Sequence, residues 1–438
     1  MSDIKVAMAP GPLERVLLQF GVRPGEGAAL AWSFLYFFAL LSGYYILRPV
    51  RDAMGAVHAL EWLFTGTFVC MLLLTPVYGA LVSRFPRRVF LPLVYLFFIG
   101  CLFAFYFLLR ADTGATWRSA VFYIWVAVFN LFAVSVFWSF MSDIFETGQA
   151  KRFYGVIAAG GTSGALCGPV LTQAMAATLG VANLLLVSAF LLGVCLLCIL
   201  RLIPWARAQE RQRKVADVPE QGMGGSVLEG ARRVFDSRFL FALALLMFFG
   251  VGVGTLLYLE QAAYTRVAFP DPALRTAYYS RIDLAMNLLA VTVQLFITRA
   301  MLTRVGAGPM LVIPASLAAL GFAALAVAPG APLLLALVQV FVRASTFSLL
   351  NPARESLFTR VDRVSRYKAK SFLDTAVWRG GDVAFSWLYT GLVTAIGLGT
   401  RGIAVVGIAL AAGVITSASW AWRQSRSLPD QHEDANRS

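Results

Sequence analysis

Charged side chains interrupt several long apolar runs in this sequence. Arg48, Arg51 and Asp52 close the first run, in the segment Tyr44-Tyr-Ile-Leu-Arg-Pro-Val-Arg-Asp52. If this segment is helical, Arg48 and Asp52 lie one turn apart on the same face, and Pro49 bends the chain between them. Guanidinium groups bind phosphate and carboxylate groups through paired N–H donors. The segment therefore predicts either a salt bridge or an anion site.

The later apolar runs carry similar charges. An ionised side chain at the centre of a membrane helix costs at least about 2.5–3.5 kcal/mol, so each one needs a partner or a function. Cations and anions balance in number, so both structural pairing and substrate contact stay open for each residue. Arg343 lies deepest in its run and has no adjacent acid, which favours a functional role. The set comprises Arg48, Arg51, Arg281, Arg343 and Arg379 with Asp52, Glu260, Asp283, Asp374 and Asp382.

Twelve apolar segments must position these side chains. The chain has 438 residues, of which 59% are hydrophobic and only 14% charged, whereas soluble proteins are about 25% charged. A bilayer core about 30 Å thick needs roughly 20 apolar residues per helix. The sequence thus predicts an all-α integral membrane protein with 12 transmembrane helices in a 6+6 pseudo-symmetric bundle. The predicted spans are 27–47, 60–82, 89–109, 120–141, 155–179, 181–203, 239–261, 277–300, 309–328, 332–350, 373–396 and 402–422.

The predicted domains follow from the grouping of the spans. Residues 1–203 form an N-terminal six-helix half, 204–238 a cytoplasmic linker, 239–422 a C-terminal six-helix half, and 423–438 a disordered cytoplasmic tail. One side of the predicted membrane carries 27 Lys and Arg residues and the other side carries 8. The positive-inside rule makes the first side cytoplasmic. We expect a multi-pass protein of the plasma (bacterial inner) membrane, with both termini cytoplasmic, that acts as a monomer in the lipid bilayer.

Several function classes are disfavoured by composition. The net charge of +14 reflects basic cytoplasmic loops and does not indicate nucleic-acid binding. The five cysteines lack disulfide or zinc spacing, and two histidines do not make a metal site. A phosphate-binding GxxxxGK[ST] loop is missing from the sequence, which disfavours an ATP-driven pump. With no nucleophile–base pair in evidence, we expect no enzyme activity, no cofactor and no metal.

Two glycine-containing motifs resemble those of the major facilitator superfamily. The segment from Gly79 to Arg88 resembles the pattern GxLxDRxGRR, with Ser83 and Pro86 as departures. Span 5 carries Gly155, Gly164 and Gly168-Pro169 in a spacing similar to the glycine–proline antiporter pattern of that superfamily. Glycines allow close helix packing in membranes. The resemblance implies a major facilitator-type bundle.

Four polar stretches resemble the bacterial and plastid ATP/ADP translocase family of nucleotide transporters. The first-span motif ILRDTKD corresponds to Ile46-Leu-Arg-Pro-Val-Arg-Asp52, and the family's EAKRFY motif corresponds to the segment that ends in Ala150-Lys-Arg-Phe-Tyr154. Near the end of span 7, Tyr258-Leu-Glu-Gln261 is similar to the family's acidic helix end. The family's loop 10–11 motif corresponds to Arg354-Glu355, Tyr367-Lys-Ala-Lys370, Asp374 and Arg379-Gly-Gly381.

The resemblance implies a nucleotide exchanger, and it carries family substrate-binding roles onto Arg51, Glu260 and Lys370. Together with the intramembrane charges, this predicts a secondary transporter of an anionic nucleotide-like or phosphorylated metabolite. The predicted substrate-binding residues are Arg48, Arg51, Glu260, Arg343, Lys370 and Arg379, and the predicted gating or coupling residues are Asp52, Asp283, Asp374 and Asp382.

Two other functions fit the sequence. A proton-coupled exporter of drugs or peptides would use Asp283, Asp374 or Glu260 to carry the proton. A non-transporting membrane sensor or partner subunit would use the transporter fold alone, although the sequence shows no appended soluble domain.

Overall fold

Thirteen helices make up the described part of the chain. The structure is a computed structural model and describes residues 26–84, 87–111, 117–145, 147–213 and 227–427. The helices are α1 (Gly27–Gly55), α2 (Leu60–Arg84), α3 (Arg87–Arg110), α4 (Trp117–Ile144), α5 (Thr147–Leu179), α6 (Val181–Arg213), α7 (Val227–Asp236), α8 (Arg238–Ala268), α9 (Pro272–Arg304), α10 (Ala307–Val327), α11 (Pro332–Phe358), α12 (363–394) and α13 (Thr400–Ser425).

Twelve of these helices correspond one to one with the predicted spans, and α7 is an additional short helix. Within the described residues, ten of these helices are long and apolar enough to cross a membrane. The two others are α2, whose apolar described part is Leu60–Thr75, and α12, which opens with the basic segment Arg363–Phe372. The protein is an all-α, multi-pass membrane protein. Most helices extend past the predicted span ends, since backbone hydrogen bonding continues beyond the apolar core.

Some predicted features lie outside the described residues. They include the N-terminal segment 1–25, residues 214–226 of the predicted linker, and the tail from 428 onward. The side chains of the Gly79 to Arg88 motif are also outside the described set, although the backbone of 79–84 and 87–88 is helical.

Two large groups of buried apolar side chains form the cores. One runs from Ala29 to Leu202 and joins α1 with α3–α6. The other runs from Val234 to Ala421 and joins α7, α8 and α10–α13. The two groups of helices are thus packed as separate units, and a space between them is bounded by both.

Close packing of α1 on α5 depends on glycine. A Cβ atom added to Gly164 would lie 2.4 Å from the carbonyl oxygen of Phe38, and one on Gly168 would lie 2.8 Å from that of Ser42. Backbone atoms do not move aside easily, so only glycine fits at these positions. This contact fixes the position of the polar end of α1.

Three helices of the second half of the chain (α8–α13) contain a short π-helical segment. These segments are Gln294–Thr298 in α9, Thr346–Leu350 in α11 and Leu373–Val377 in α12. Such segments insert one residue into a helix and are frequent at functional sites. The first two are joined by a 2.8 Å hydrogen bond that the Thr298 hydroxyl donates to the Ser348 carbonyl. The insertion in α11 lies between the turn of Arg343 and the turn of Arg354.

The linker helix α7 is docked on the start of α12. A Cβ atom on Gly230 would lie 2.5 Å from the carbonyl oxygen of Lys368, and the Lys368 ammonium lies 2.5 Å from the Glu229 carboxylate. This hydrogen bond from Lys368 holds the pKa of the Glu229 carboxyl below its ordinary value.

Candidate functional site

A cavity of about 300 Å³ lies between the two sets of helices. Its lining comes from α1, α2 and α4 on one side and from α8 and α10–α13 on the other. Cavities of this size hold small molecules. Its position, between two separately packed cores, is where substrate sites lie in two-halved transporters.

Five arginines line the cavity within the described residues. Four of them, Arg48, Arg51, Arg343 and Arg379, are among the predicted substrate contacts, and the fifth is Arg354. They come from α1, α11 and α12, so the fold gathers four of the five predicted intramembrane cations at the cavity, whereas Arg281 is exposed and not part of the lining. A water-filled site with several guanidinium groups attracts anions.

Arg48 and Arg343 share a single carboxylate. Arg48 Nε lies 3.5 Å from Asp283 Oδ2, and Arg343 Nη1 lies 3.5 Å from Asp283 Oδ1. Asp283 is only 2% exposed. The sequence shows no acidic residue near Arg343 on its own helix. The expectation that Arg343 lacks an acidic neighbour is nevertheless wrong, because Asp283 of α9 lies next to it.

Arg51 is paired with its sequence neighbour. Its Nη2 donates to Asp52 Oδ1 at 2.6 Å and its Nε donates to the same oxygen at 2.9 Å. The Tyr258 hydroxyl on α8 donates to that oxygen at 3.1 Å, and the Arg51 guanidinium lies 5.0 Å from the ring centre of Tyr123. The spacing of Arg48 and Asp52 allows a salt bridge between them, but Arg48 contacts Asp283 on α9 whereas Asp52 contacts Arg51 and Tyr258 of α8.

Arg379 and Asp382 form a third pair in the cavity wall. Arg379 Nη1 lies 3.5 Å from Asp382 Oδ2, one helical turn away. Asp382 Oδ1 accepts a 3.0 Å hydrogen bond from the Thr255 hydroxyl on α8. Among the described contacts, the arginines at 48, 51, 343 and 379 thus have only three carboxylates, Asp52, Asp283 and Asp382, for four cations. This group of four arginines and three carboxylates therefore carries a net positive charge.

Five predicted residues are not among those that line the cavity. Asp52 and Asp283 are paired with arginines that do line it, and the other three are Glu260, Lys370 and Asp374. Glu260 is buried and accepts a 3.0 Å hydrogen bond from the Tyr389 hydroxyl. Lys370 is about two-fifths exposed and lies 2.7 Å from Glu355. Asp374 is half-buried and lies 3.5 Å from Arg354 Nη1. None of the three is among the residues that line the described cavity.

Arg354 is a cavity residue that the predicted site does not include. It is 7% exposed, its Nη1 donates to the sulfur of Met247 at 3.2 Å, and its Nε lacks a hydrogen-bond partner among the described residues. The predicted span ends at Leu350, which left Arg354 in a loop, whereas α11 continues to Phe358. Its place in the Arg354-Glu355 motif was the only sequence signal.

One end of the cavity is closed by contacts between the two sets of helices. We call this group the closing cluster: Ala53, Ala56, Leu60, Leu63, Tyr123, Leu259, Ala262 and Tyr279. At the same end, Trp387 Nε1 donates to the Thr65 hydroxyl at 3.1 Å. Deeper in the bundle, the hydroxyl of Ser280 donates to the carbonyl of Pro169 at 2.7 Å. The cavity extends from this cluster toward Met247 and Arg354, at the opposite end.

The EAKRFY-like segment lies outside the cavity and ties α5 to the start of α1. Arg152 Nη2 lies 3.3 Å from the Glu26 carboxylate, and the Gln149 amide donates to it at 2.8 Å. Phe153 is fully buried, and the Tyr154 ring packs edge-on against Trp138. The most specific motif of the resemblance therefore stabilises the fold at this place.

Solved transporter structures have the same fold. A point mutant of the nucleoside transporter NupG shares 14% identity over 91% of this chain and 99% of its own, with a TM-score of 0.62. The POT family transporter PepTSo gives 12% identity, coverage of 91% and 98%, and a TM-score of 0.61. A bacterial homologue of the iron transporter ferroportin, in an inward-facing state, shares 13% identity over 91% of this chain and 98% of its own, with a TM-score of 0.61.

Comparison with sequence families gives a match in one family model. A comparison with curated protein sequences gave no significant match. The model of the Major Facilitator Superfamily matches residues 28–369. This match covers most of the sequence and agrees with the bundle, and the chain therefore belongs to the Major Facilitator Superfamily.

Proposed function

We propose that this protein is a secondary transporter that moves an anionic, nucleotide-like or phosphorylated metabolite by alternating access. The observation that carries the proposal is the cavity between the two cores, where four arginines face three carboxylates. Guanidinium groups bind phosphate bidentately, and they stay charged in a low-dielectric site. The surplus charge matches an anion.

The shared carboxylate supplies a binding mechanism. Both contacts of Asp283 are 3.5 Å long. An N–H···O hydrogen bond usually has a donor–acceptor distance of about 2.7–3.2 Å, so both contacts are longer than a hydrogen bond. In our proposal, a phosphoryl group enters between Arg48 and Arg343 and forms the shorter contacts that Asp283 does not. Arg48 belongs to the first helix set and Arg343 to the second, so the bound anion draws the two sets together.

The proposed transport cycle uses the two cores as its moving parts. Residues 1–203 and 239–422 would act as the two six-helix halves, joined by the linker 204–238. The closing cluster would separate as the opposite end closes, and Asp52, Asp283, Asp374 and Asp382 would exchange partners in this step. We place both termini on the cytoplasmic side of a bacterial inner membrane, so that the cavity faces the cytoplasm, and we propose that the protein acts as a monomer.

Nucleotide exchange of the ATP/ADP type is the finer form of the proposal. It is supported by the motif resemblance at Ile46 to Asp52 and by the placement of Arg51 in the cavity. Exchange is tested with proteoliposomes that contain unlabelled ADP and receive labelled ATP outside. Uptake that requires internal nucleotide supports exchange, and uptake that is independent of it contradicts exchange.

Proton-coupled transport is a second candidate, and the buried Asp283 favours it. A carboxylate at 2% exposure between two cations can exchange a proton as its partners move apart. A pH gradient that drives uptake in the absence of internal substrate would support this candidate, and uptake that ignores the gradient would exclude it.

A further inference from the structure

A proline removes one backbone hydrogen bond from the middle of α5. Pro169 has no N–H group, so the carbonyl oxygen of Ala165, one turn earlier in the helix, loses the donor that another residue would supply. Ala165 is 8% exposed and Pro169 is buried. At the depth of a membrane, a carbonyl oxygen without a donor is costly, because lipid offers no hydrogen bond to replace the missing one.

The missing donor comes from the side chain of Asn287 on α9. Its Nδ2 donates to the Ala165 oxygen at 3.0 Å, and the residue is 9% exposed. At the other end of the amide, the Tyr45 hydroxyl on α1 donates to Asn287 Oδ1 at 3.4 Å. A reversed amide would place two acceptor oxygens against each other at Ala165. Both ends of this amide therefore contact the first six helices, α1–α6.

α5 is not free to move toward another donor, because a neighbouring face is packed on α1. Gly164 and Gly168 make close contacts with the α1 backbone, and Ala165 and Pro169 directly follow them in the sequence. Successive residues of an α-helix are about 100° apart around its axis. The face that carries Ala165 and Pro169 is thus turned from α1 toward α9, where Asn287 meets it.

A second hydrogen bond across the same interface differs in one respect. The Ser280 hydroxyl donates to the carbonyl oxygen of Pro169 at 2.7 Å. α5 continues to Leu179, so this oxygen also has its ordinary helical donor, the backbone N–H of Gln173. The bond from Ser280 is therefore additional to the helix, whereas the bond from Asn287 replaces one that the helix lacks.

We propose that Asn287 is a positioning residue of the transport cycle, which holds the closed end shut by supplying from α9 the hydrogen bond that Pro169 withholds from α5. When the closing cluster separates, α9 moves away from α5, and water that enters the opened end satisfies the Ala165 oxygen instead. The amide thus sets the balance between the two conformations. This inference rests on the proposed function for alternating access alone and is independent of the cargo.

The test measures opening of the closed end in the purified full-length protein without substrate. With the five native cysteines replaced, Ala56→Cys reports opening through its rate of reaction with a maleimide, because Ala56 belongs to the closing cluster and is 2% exposed. Asn287→Leu should raise this rate at least about fivefold, since a buried carbonyl left without a donor disfavours the closed state by at least that factor. Pro169→Ala restores the N–H group that donates to Ala165. In that background, Asn287→Leu should change the rate by less than about twofold.

Two variants are matched controls. Ser280→Ala removes the additional bond across the same interface and should raise the rate less than Asn287→Leu. Asn183→Leu removes an amide that donates to the carbonyl oxygen of Leu179, within the first six helices, and should leave the rate unchanged. If Asn287→Leu does not elute as a single folded species, Asn287→Ala takes its place in both backgrounds with the same expected result.

The outcomes separate this inference from the proposed function. An equal rise from Asn287→Leu with and without Pro169→Ala, or no rise in either background, overturns the role of Asn287 while the anion site stands. If Ala56→Cys reacts in the denatured protein but in none of the folded variants, the closed end does not open. That result overturns both this inference and the proposed alternating access.

Discussion

Arg48 Nε on α1 lies 3.5 Å from Asp283 Oδ2 on α9, so a salt bridge joins a helix of the first half to a helix of the second beside the cavity. Asp283 is also 3.5 Å from Arg343 Nη1, and one carboxylate therefore has to compensate two cations. Removal of one partner from a buried ion pair destabilises proteins strongly, because it leaves uncompensated charge. Because one carboxylate compensates only one of the two positive charges, we expect the two arginines to bind a second anion.

Asp283→Asn should lower the thermal stability of the protein in the absence of ligand. Two partly buried guanidinium groups would lose their only shared carboxylate, at a cost on the order of 3–5 kcal/mol. Pyrophosphate should restore more stability in the variant than in the wild type, since a bound anion raises apparent stability. The measurement is thermal unfolding with and without pyrophosphate. The matched control is Asp236→Asn, whose exposed pair with Arg232 contributes little. A variant as stable as the wild type, with no response to pyrophosphate, would contradict the shared-carboxylate account.

Gly164→Ala should destabilise the contact between α1 and α5. The new methyl group would meet two backbone atoms, the Phe38 oxygen at 2.4 Å and the Ser42 nitrogen at 3.0 Å. Overpacking of this kind costs about 1–3 kcal/mol. Gly155→Ala on the same helix is the control, because its Cβ meets nothing described within 4 Å. Thermal denaturation followed by size-exclusion chromatography compares the two, and equal stability would show that α1 can shift away from α5.

Lys370→Gln should affect transport far less than Arg343→Gln. The Lys370 ammonium is paired with Glu355 at about two-fifths exposure and outside the cavity lining, and exposed ion pairs contribute about 0–1 kcal/mol. We expect KM to change by less than about twofold for Lys370→Gln and to rise more than about tenfold for Arg343→Gln, in line with the loss of a charge-assisted contact. The motif resemblance, in contrast, assigns Lys370 to the substrate. An equal loss in both variants would favour that assignment and would require Lys370 to reach the cavity in another state.

Sequence periodicity and hydropathy were sufficient to predict the twelve long helices, because a bilayer imposes their length and composition, but not the short helix α7. The pairing of the charges was not predictable in the same way. Arg48 and Asp52 have ideal spacing for a pair, yet Arg48 contacts Asp283 and Asp52 contacts Arg51 and Tyr258. Local spacing defines which residues share a helix face, whereas the partner depends on which helix packs against that face.

Arg354 shows a second limit. A hydropathy profile ends the span where apolar residues end, at Leu350, but the helix continues to Phe358 after a π-helical turn. The position of Gly250 and Gly254 in the cavity lining was also not predictable from the sequence. A pair of glycines four residues apart in a membrane helix usually indicates helix packing, and only the structure shows open space beside them.

A cysteine at Thr346 should react faster from the side of the membrane to which the cavity opens in this structure. Thr346 lies on α11 in the cavity lining, which the closing cluster separates from the other end of the bundle. With the five native cysteines replaced, Thr346→Cys should react with a membrane-impermeant maleimide several-fold faster in inside-out vesicles than in right-side-out vesicles. Val57→Cys, in the exposed connection between α1 and α2, is the control and should show the opposite pattern. If both cysteines react faster from the same side, either the orientation or the closed end is wrong.

Transport by the purified protein in proteoliposomes tests the central claim most directly. We predict uptake of at least one labelled nucleotide or phosphorylated metabolite by the wild type. Arg48→Gln and Arg343→Gln should each reduce the rate at least about tenfold, because each removes a charge-assisted contact to the anion. Arg304→Gln, an exposed arginine at the end of α9 and outside the cavity lining, should transport at the wild-type rate. Uptake that is unchanged in both cavity variants, or uptake of neutral substrates alone, would contradict the account.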